Sequence, residues 1–330
     1  MNGQSTLENQ LFSIKSSQDF DILALEIFSF QYSHNPIYRK FCEHLGKRPS
    51  NVDNTSDIPF LPIRFFKTEK IVSGTEPVSL VFESSRTTGT IPSSHYVISE
   101  SLYQRSILEG FKRVYGKPSD YVILALLPSY LERGNASLVY MVNYLMQCSG
   151  HDEGGFYLDD IVALSKQLQR LEKAGQAVML IGVSYALLDL AEAYPQSLEN
   201  TIIMETGGMK GTRPEWIREE LHAFLKSKFG VADIHSEYGM TELLSQGYAT
   251  KNGHFYFPPW VRLSLREVED PLSIASSSQT GGVNIIDLAN LYSCSFIATD
   301  DLGKIREDGA VEILGRFDSS DIRGCNLMVK

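Results

Sequence analysis

Apolar residues recur at mostly three- and four-residue spacing through positions 7–45, with Leu11, Ile14, Phe20, Ile22, Leu23, Leu25, Ile27 and Phe28 in the pattern, which predicts a helical arm stopped by Gly46. Pro59 and Pro62 then exclude a regular helix over 58–66 and predict an ordered strap over the core. From 78 to 247 short apolar runs alternate with amphipathic stretches. The runs at 78–82, 121–127, 177–183, 201–205 and 232–236 are expected as strands, and 99–114, 137–147, 159–174, 185–193 and 214–229 as helices, with Pro214 marking a helix start. This alternation is the signature of βαβ units. Beyond 247 only short strands are expected, at 254–257, 261–267, 283–288, 303–306 and 311–314, with Asp308-Gly309 as a two-residue hairpin turn. The fold class expected is α/β, with mainly parallel sheets and flanking helices plus a smaller β-rich subdomain. The parts are an arm and strap at 1–75, a nucleotide-binding core at 76–250 and a β subdomain with a tail at 251–330.

Composition narrows the function classes. The 330 residues are 43% hydrophobic and 21% charged, enough to bury a large core in one or two globular domains. A net charge of -10 disfavours nucleic acid and anionic membrane as main partners, since both reward clustered Lys and Arg. The four cysteines, Cys42, Cys148, Cys294 and Cys325, have neither CxxC nor Cys/His spacing, so neither a zinc site nor a disulfide framework is expected. No apolar run is long enough to span a bilayer, and a reducing cytoplasm is the expected location. His95, His151, His235 and His254 show no triad-like context, and a Gly-x-Ser-x-Gly elbow is lacking.

Candidate chemistry concentrates at Ile234-His235-Ser236-Glu237-Tyr238-Gly239-Met240-Thr241-Glu242. There an apolar strand end runs into a glycine turn bearing a hydroxyl and carboxylates. Gly239 lets backbone approach a ligand, Thr241 can donate to a phosphate oxygen, Glu242 can coordinate Mg²⁺, and Tyr238 offers a flat face to a purine. A Tyr-Gly turn capped by Thr, with Glu in the first turn of a following helix, is the competing structural reading. Upstream, the loop Ser84-Ser85-Arg86-Thr87-Thr88-Gly89-Thr90 concentrates hydroxyls and backbone N–H groups able to cradle phosphate. Thr206-Gly207-Gly208-Met209 is expected between strand and helix, where its glycines would let an adenine lie against backbone. Downstream stand Thr299-Asp300-Asp301-Leu302-Gly303 and Gly315-Arg316-Phe317-Asp318.

In this order and spacing, the four stretches at 84–90, 234–242, 299–303 and 315–318 resemble the adenylate-forming superfamily of acyl and aryl ligases and luciferases. With Asn35-Pro36-Ile37-Tyr38 and the 58–67 strap, the N-terminal half is similar to the acyl-protein synthetases of bacterial luminescence. The resemblance implies ATP and Mg²⁺ as cofactors and a carboxylic acid, in particular a fatty acid, as substrate. It assigns ATP to Ser84, Ser85, Arg86, Thr87, Thr88, Gly89, Gly207, Gly208, Glu237, Tyr238, Gly239 and Met240, and the ribose to Asp301 and Arg316. Catalysis falls to Thr241 and Glu242, with Glu242 at the metal.

Two departures from the family pattern stand out. Arg86 replaces a usual Gly, and Pro92-Ser93 replaces a common Pro-Lys, so Arg86 is the alternative source of positive charge. Asp300 stands where relatives commonly have Gly and adds an unexplained charge. The sequence runs only fourteen residues past Arg316, so the mobile C-terminal domain of larger relatives, with its lysine, is expected to be absent. That disfavours thioester formation with coenzyme A by domain rotation. Cys325 resembles the C-terminal cysteine on which acyl-protein synthetases carry their acyl group, ready for hand-over to an acyl reductase or acyltransferase partner. The expected reaction is therefore acid activation followed by transfer to a cysteine thiol. A phenylacetate-type coenzyme A ligase and a non-catalytic nucleotide or acyl-adenylate binding module are the alternatives.

Overall fold

The fold is described from a computed structural model, over residues 3–84, 91–128, 135–207, 216–275 and 279–316. The expected arm is three helices: α1 (Gly3–Leu11), α2 (Ser17–His34) and α3 (Pro36–His44). A reciprocal cap starts α2, with Ser16 accepting from the Asp19 N–H and Asp19 accepting from the Ser16 N–H. Asn35 ends α2 and caps α3, whose first residue is Pro36, so the break falls where proline has no N–H to lose. The strap forms β1 (Leu61–Pro62) and α4 (Phe65–Thr68). Then β2 (Leu80–Glu83) and β3 (Ser94–Val97) bracket the Ser/Thr loop, and α5 (Glu100–Tyr115) follows.

The alternating region continues with β4 (Val122–Leu126), α6 (Ser137–Ser149), β5 (Gly155–Phe156), α7 (Ile161–Lys173), β6 (Val178–Val183), α8 (Ser184–Ala193), β7 (Thr201–Thr206), α9 (Arg218–Phe229) and β8 (His235–Tyr238). The last part comprises β9 (Gly247–Ala249), β10 (His254–Phe255), β11 (Val261–Arg266), β12 (Gly281–Asp287), β13 (Phe296–Ile305) and β14 (Val311–Arg316).

Contacts divide the chain into two compact units. The first takes residues 1–80, 95–99 and 259–330, so the stretches read as an arm and as a β subdomain fall in one unit. Its sheet runs β11-β12-β13-β14 in antiparallel pairs, with the strap's β1 joining β13 in parallel through Leu61–Ile297 register. Phe28, Tyr38 and Phe296 form its buried aromatic centre, and the Tyr38 hydroxyl donates to the Pro59 carbonyl at 2.7 Å, which fixes the strap. The β13–β14 turn differs from expectation. Arg306 N–H bonds Ala310 O across three residues, and only Gly309 has positive φ, at 82°, so Asp308-Gly309 is the end of a three-residue loop rather than a two-residue turn.

The second unit, 81–94 and 100–258, holds a sheet ordered β5-β4-β6-β7-β8-β9, parallel except for β9. Parallel pairing is thus concentrated in one sheet, and the fold class is α/β with mixed sheets. β4 and β6 are buried at every residue, which explains why they read as unbroken apolar runs. Strand order reverses between β4 and β6; by the rule that such crossovers are right-handed, α6 covers one face and α7, α8 and α9 the other. Ligands in such sheets sit beyond the carboxyl ends of the strands. No helix among the described residues is long and apolar enough to cross a membrane.

Candidate active site

At the carboxyl edge of the parallel sheet, β7 ends in Glu205-Thr206 before Gly207, and β8 ends in Glu237-Tyr238 before Gly239. β8 lies two to three residues later than the periodicity suggested, because burial of Ser236 and Glu237 makes polar residues part of the strand. Register pairs Glu205 with Ser236 and Thr206 with Glu237, which brings the two glycine turns side by side. Gly207 adopts φ 66°, and its carbonyl accepts from Ser184 at the start of α8 at 2.8 Å.

After Gly239 the Leu243 N–H bonds Met240 O at 3.1 Å, so Thr241 and Glu242 are the central residues of a turn and not the start of a helix. Glu242 is buried, Thr241 half-buried and Gly239 exposed. β9 then returns antiparallel, setting Tyr248 opposite Glu237 and Gly247 opposite Tyr238. The Tyr238 ring packs between Phe255 and Phe257, with centroids 5.8 and 5.9 Å away.

Two carboxylates in this edge have opposite character. Burial pushes the Glu205 carboxyl up, but His222 and Arg218 of α9, each 3.6 Å away, and Ser236 outweigh it and hold Glu205 below the usual carboxylate range. Ser184 also donates to Glu205 at 3.1 Å. Glu237 is pushed up to about 7 by burial; the Thr206 hydroxyl, donating at 2.5 Å, pulls it down, and the Glu205 charge adds to the rise. Around Glu237 the Tyr248 hydroxyl and Gln246 Oε1 are buried and have no hydrogen-bond partner among the described residues.

Of the residues expected at the nucleotide, the structure brings together Gly207, Glu237, Tyr238, Gly239, Met240, Thr241 and Glu242. Ser84 begins the Ser/Thr loop, its N–H bonded to Ser93 O and its Oγ accepting from Ser93 N–H. Ser85, Arg86, Thr87, Thr88, Gly89, Gly208 and Cys325 lie outside the described residues. In the other unit, Asp301 on β13 pairs with Arg316 on β14 at 3.1 Å. The adjacent Asp300 has a counterpart: buried Arg266, which donates to Val283 O, Asn284 Oδ1 and Thr299 O, feels the charges of both Asp300 and Asp301. Sequence reasoning passed over Glu205, Arg218, His222 and Ser184. The available signal was an acidic residue closing the apolar run Ile202-Ile203-Met204.

The family model described as "Acyl-protein synthetase, LuxE" matches residues 11–330. The chain is 23% identical to the long-chain-fatty-acid–luciferin-component ligase of Vibrio harveyi, over 91% of this chain and 84% of that one. It is 24% identical to the enzyme of the same name from Aliivibrio fischeri, over 93% and 86%. Among solved structures, a 2-hydroxyisobutyryl-CoA ligase with bound 2-HIB-AMP and CoA superposes with TM-score 0.67 at 14% identity, covering 92% of this chain and 71% of that one. ATP-bound MatB from Rhodopseudomonas palustris gives 0.56 at 19% identity, covering 74% of this chain and 49% of MatB, so the matched region spans about half of MatB. The fold is therefore that of the adenylate-forming ligases, and the chain belongs to the LuxE acyl-protein synthetase family.

Proposed function

We propose that the protein activates a fatty acid with ATP and passes the acyl group to a cysteine thiol. The carrying observation is the pairing of β7 with β8, which sets the Gly207 turn beside the Tyr238–Glu242 turn at the carboxyl edge of a parallel sheet. In the reaction, the acid's carboxylate oxygen attacks the α-phosphorus of ATP, pyrophosphate leaves, and an acyl-adenylate forms. The chain's residues contribute position and charge stabilisation. Gly207 and Tyr238 through Met240 would hold the adenine, and Thr241 would donate to phosphate. The Ser84 to Gly89 loop would cradle the departing phosphates, with Arg86 supplying charge.

The residues present fit both nucleotide and Mg²⁺. Gly239 is exposed, and a Cβ there would lie 2.4 Å from Glu237 Oε1, so this turn has backbone where another residue would have bulk. Among the described residues no group of three or more His, Cys, Asp or Glu could hold a metal by itself. That suits Mg²⁺, which binds through one or two carboxylates together with substrate phosphates, and Glu242 is the carboxylate at the turn. Bound there, Mg²⁺ would supply Lewis-acid charge to the phosphates.

ATP–pyrophosphate exchange across a panel of carboxylic acids tests the proposal. Thr241→Ala and Glu242→Gln should each lower the exchange rate about 30- to 1000-fold, the range for losing one oriented contact to the transition state. Unchanged circular dichroism should accompany the loss. Exchange equal to the parent in both variants would overturn the assignment, and AMP release that requires coenzyme A would redirect it to a coenzyme A ligase.

A further inference from the structure

We infer that Glu237 is a positioning residue, whose carboxyl ties the end of β7 to the turn after β8 so that the two glycine turns move as one frame. This deepens the nucleotide-site reading and rests on it. Three observations carry it. Thr206, the residue immediately before Gly207, donates its hydroxyl to Glu237 Oε2 at 2.5 Å, a bond between two side chains that are each more than nine-tenths buried. The other oxygen, Oε1, is folded over Gly239, where a Cβ would meet it at 2.4 Å. Thus one carboxyl touches the residue before one glycine turn and packs on the glycine of the other. Finally, both register partners that flank Glu237, Thr206 on β7 and Tyr248 on β9, are buried, so the side chain lies inside the sheet's edge and acts on a ligand through the turns.

A carboxyl in this place is exacting about its charge. The groups that bear on it are Glu205 and Thr206 of β7, Tyr248 of β9 and Tyr115 of α5. Glu205 is held ionised by Arg218 and His222, whereas burial keeps the Tyr115 and Tyr248 hydroxyls protonated. His235, on the same strand, bonds Tyr115 at 3.1 Å, and burial disfavours its charged form. Ionisation of Glu237 therefore adds a further negative charge next to that of Glu205, beside the place proposed for a polyanion. Glutamine keeps the acceptor for Thr206 without the second charge. Valine at 206 removes the tie and leaves the charge.

The test measures KM for ATP and kcat of ATP–pyrophosphate exchange at saturating Mg²⁺ from pH 6 to pH 8.5, with calorimetric titration of Mg-ATP at both ends. In the parent protein, KM for ATP should be flat below pH 7 and rise at least about fivefold by pH 8.5, since an ionisation that blocks binding costs up to tenfold per pH unit. Glu237→Gln should keep KM for ATP flat across the range, because it has no carboxyl to ionise. Thr206→Val should raise KM at pH 6, where Glu237 is neutral, and shift the alkaline rise upward, because the hydroxyl that favours the carboxylate is gone. Should Glu237→Gln fail to fold, the Thr206→Val result decides alone. A Gln variant that keeps the parent's alkaline rise, or a Val variant indistinguishable from the parent, overturns the inference while leaving the nucleotide site in place. A parent that binds no ATP at either pH overturns the nucleotide reading, and the inference with it.

Discussion

Glu205 and Glu237 are neighbours in the same sheet edge, yet their stability contributions run in opposite directions with pH. Glu205 is held below its ordinary value by His222 and Arg218 against the push of burial, so its contribution is present above the ordinary carboxylate pKa and lost on acidification. Glu237, raised to about 7 from 4.5, contributes most below its unfolded value and loses that contribution as pH rises through about 7. Two substitutions should separate the effects. Glu205→Gln should lower stability at pH 7 on the order of 2 kcal/mol, by removing the buried carboxylate that Arg218 and His222 approach at 3.6 Å, and the deficit should shrink toward pH 4. Glu237→Gln should gain on the parent between pH 5 and pH 8, on the order of 2–3 kcal/mol from a shift of this size. Chemical denaturation of the three proteins at pH 4, 5, 7 and 8 checks both, and parallel pH profiles for parent and Glu237→Gln would remove the buried-charge argument.

At the scale of elements, what could be read from the sequence was what burial dictates along the chain. β4 and β6 have no exposed residue, so Val122–Leu126 and Val178–Val183 announce themselves as apolar runs, and α5 announces itself by its buried stripe of Leu102, Ile107 and Phe111. The strands that escaped notice are defined by their partners. β5 and β9 are two and three residues long, and β3 reads Ser-His-Tyr-Val, too short or too polar for periodicity to register. The first half of β13 was legible only through the site motif that begins at Thr299, although from Ile297 to Asp301 buried positions alternate with more exposed ones as in a strand. Of the site, the turns at 207 and 238–242 were legible because glycine and oxygen-bearing side chains cluster there. Their scaffolding in Ser184, Arg218 and His222 was not, since it comes from α8 and α9, and Glu205 was passed over as the end of an apolar strand. β9 shows how such unread elements bear on the site. A Cβ on Gly247 would lie 2.5 Å from the Phe257 ring, and Gly247 is the register partner of Tyr238. Gly247→Val should therefore displace Phe257, cost about 1–3 kcal/mol by overpacking, and raise KM for ATP through the movement of Tyr238. Denaturation midpoint and exchange kinetics on the same preparation check this, and a stable variant with the parent's KM would show that β9 does not support the ring.

For the whole molecule, the family membership and the edge geometry speak to the first half of the proposed reaction, and the second half turns on which sulfur can accept the acyl group. The chain has four cysteines. Cys42 and Cys294 are fully buried; burial pushes the Cys42 thiol up to about 12 and that of Cys294 well above its ordinary range, so neither supplies thiolate at neutral pH. Cys148 is half-buried at the end of α6, and Cys325, which lies outside the described residues, follows Arg323-Gly324. Of the four cysteines these last two remain as acceptors, and Cys325 is favoured by its likeness to the acyl-carrying cysteine of the family. The step balances simply: the sulfur forms a bond to the acyl carbon, the bond from that carbon to the phosphate oxygen breaks, and AMP leaves with the electron pair. With ATP, Mg²⁺ and a labelled long-chain fatty acid, the protein should become acylated, and hydroxylamine should release the label as expected of a thioester. Mass spectrometry should place the adduct on the tryptic peptide 324–330. Cys325→Ser should retain pyrophosphate exchange and lose the hydroxylamine-labile label, whereas Cys148→Ser should keep both. Undiminished labile label in Cys325→Ser would move the acceptor role elsewhere and leave adenylate formation untouched. Loss of exchange together with the label would mean that the tail serves the first half-reaction instead.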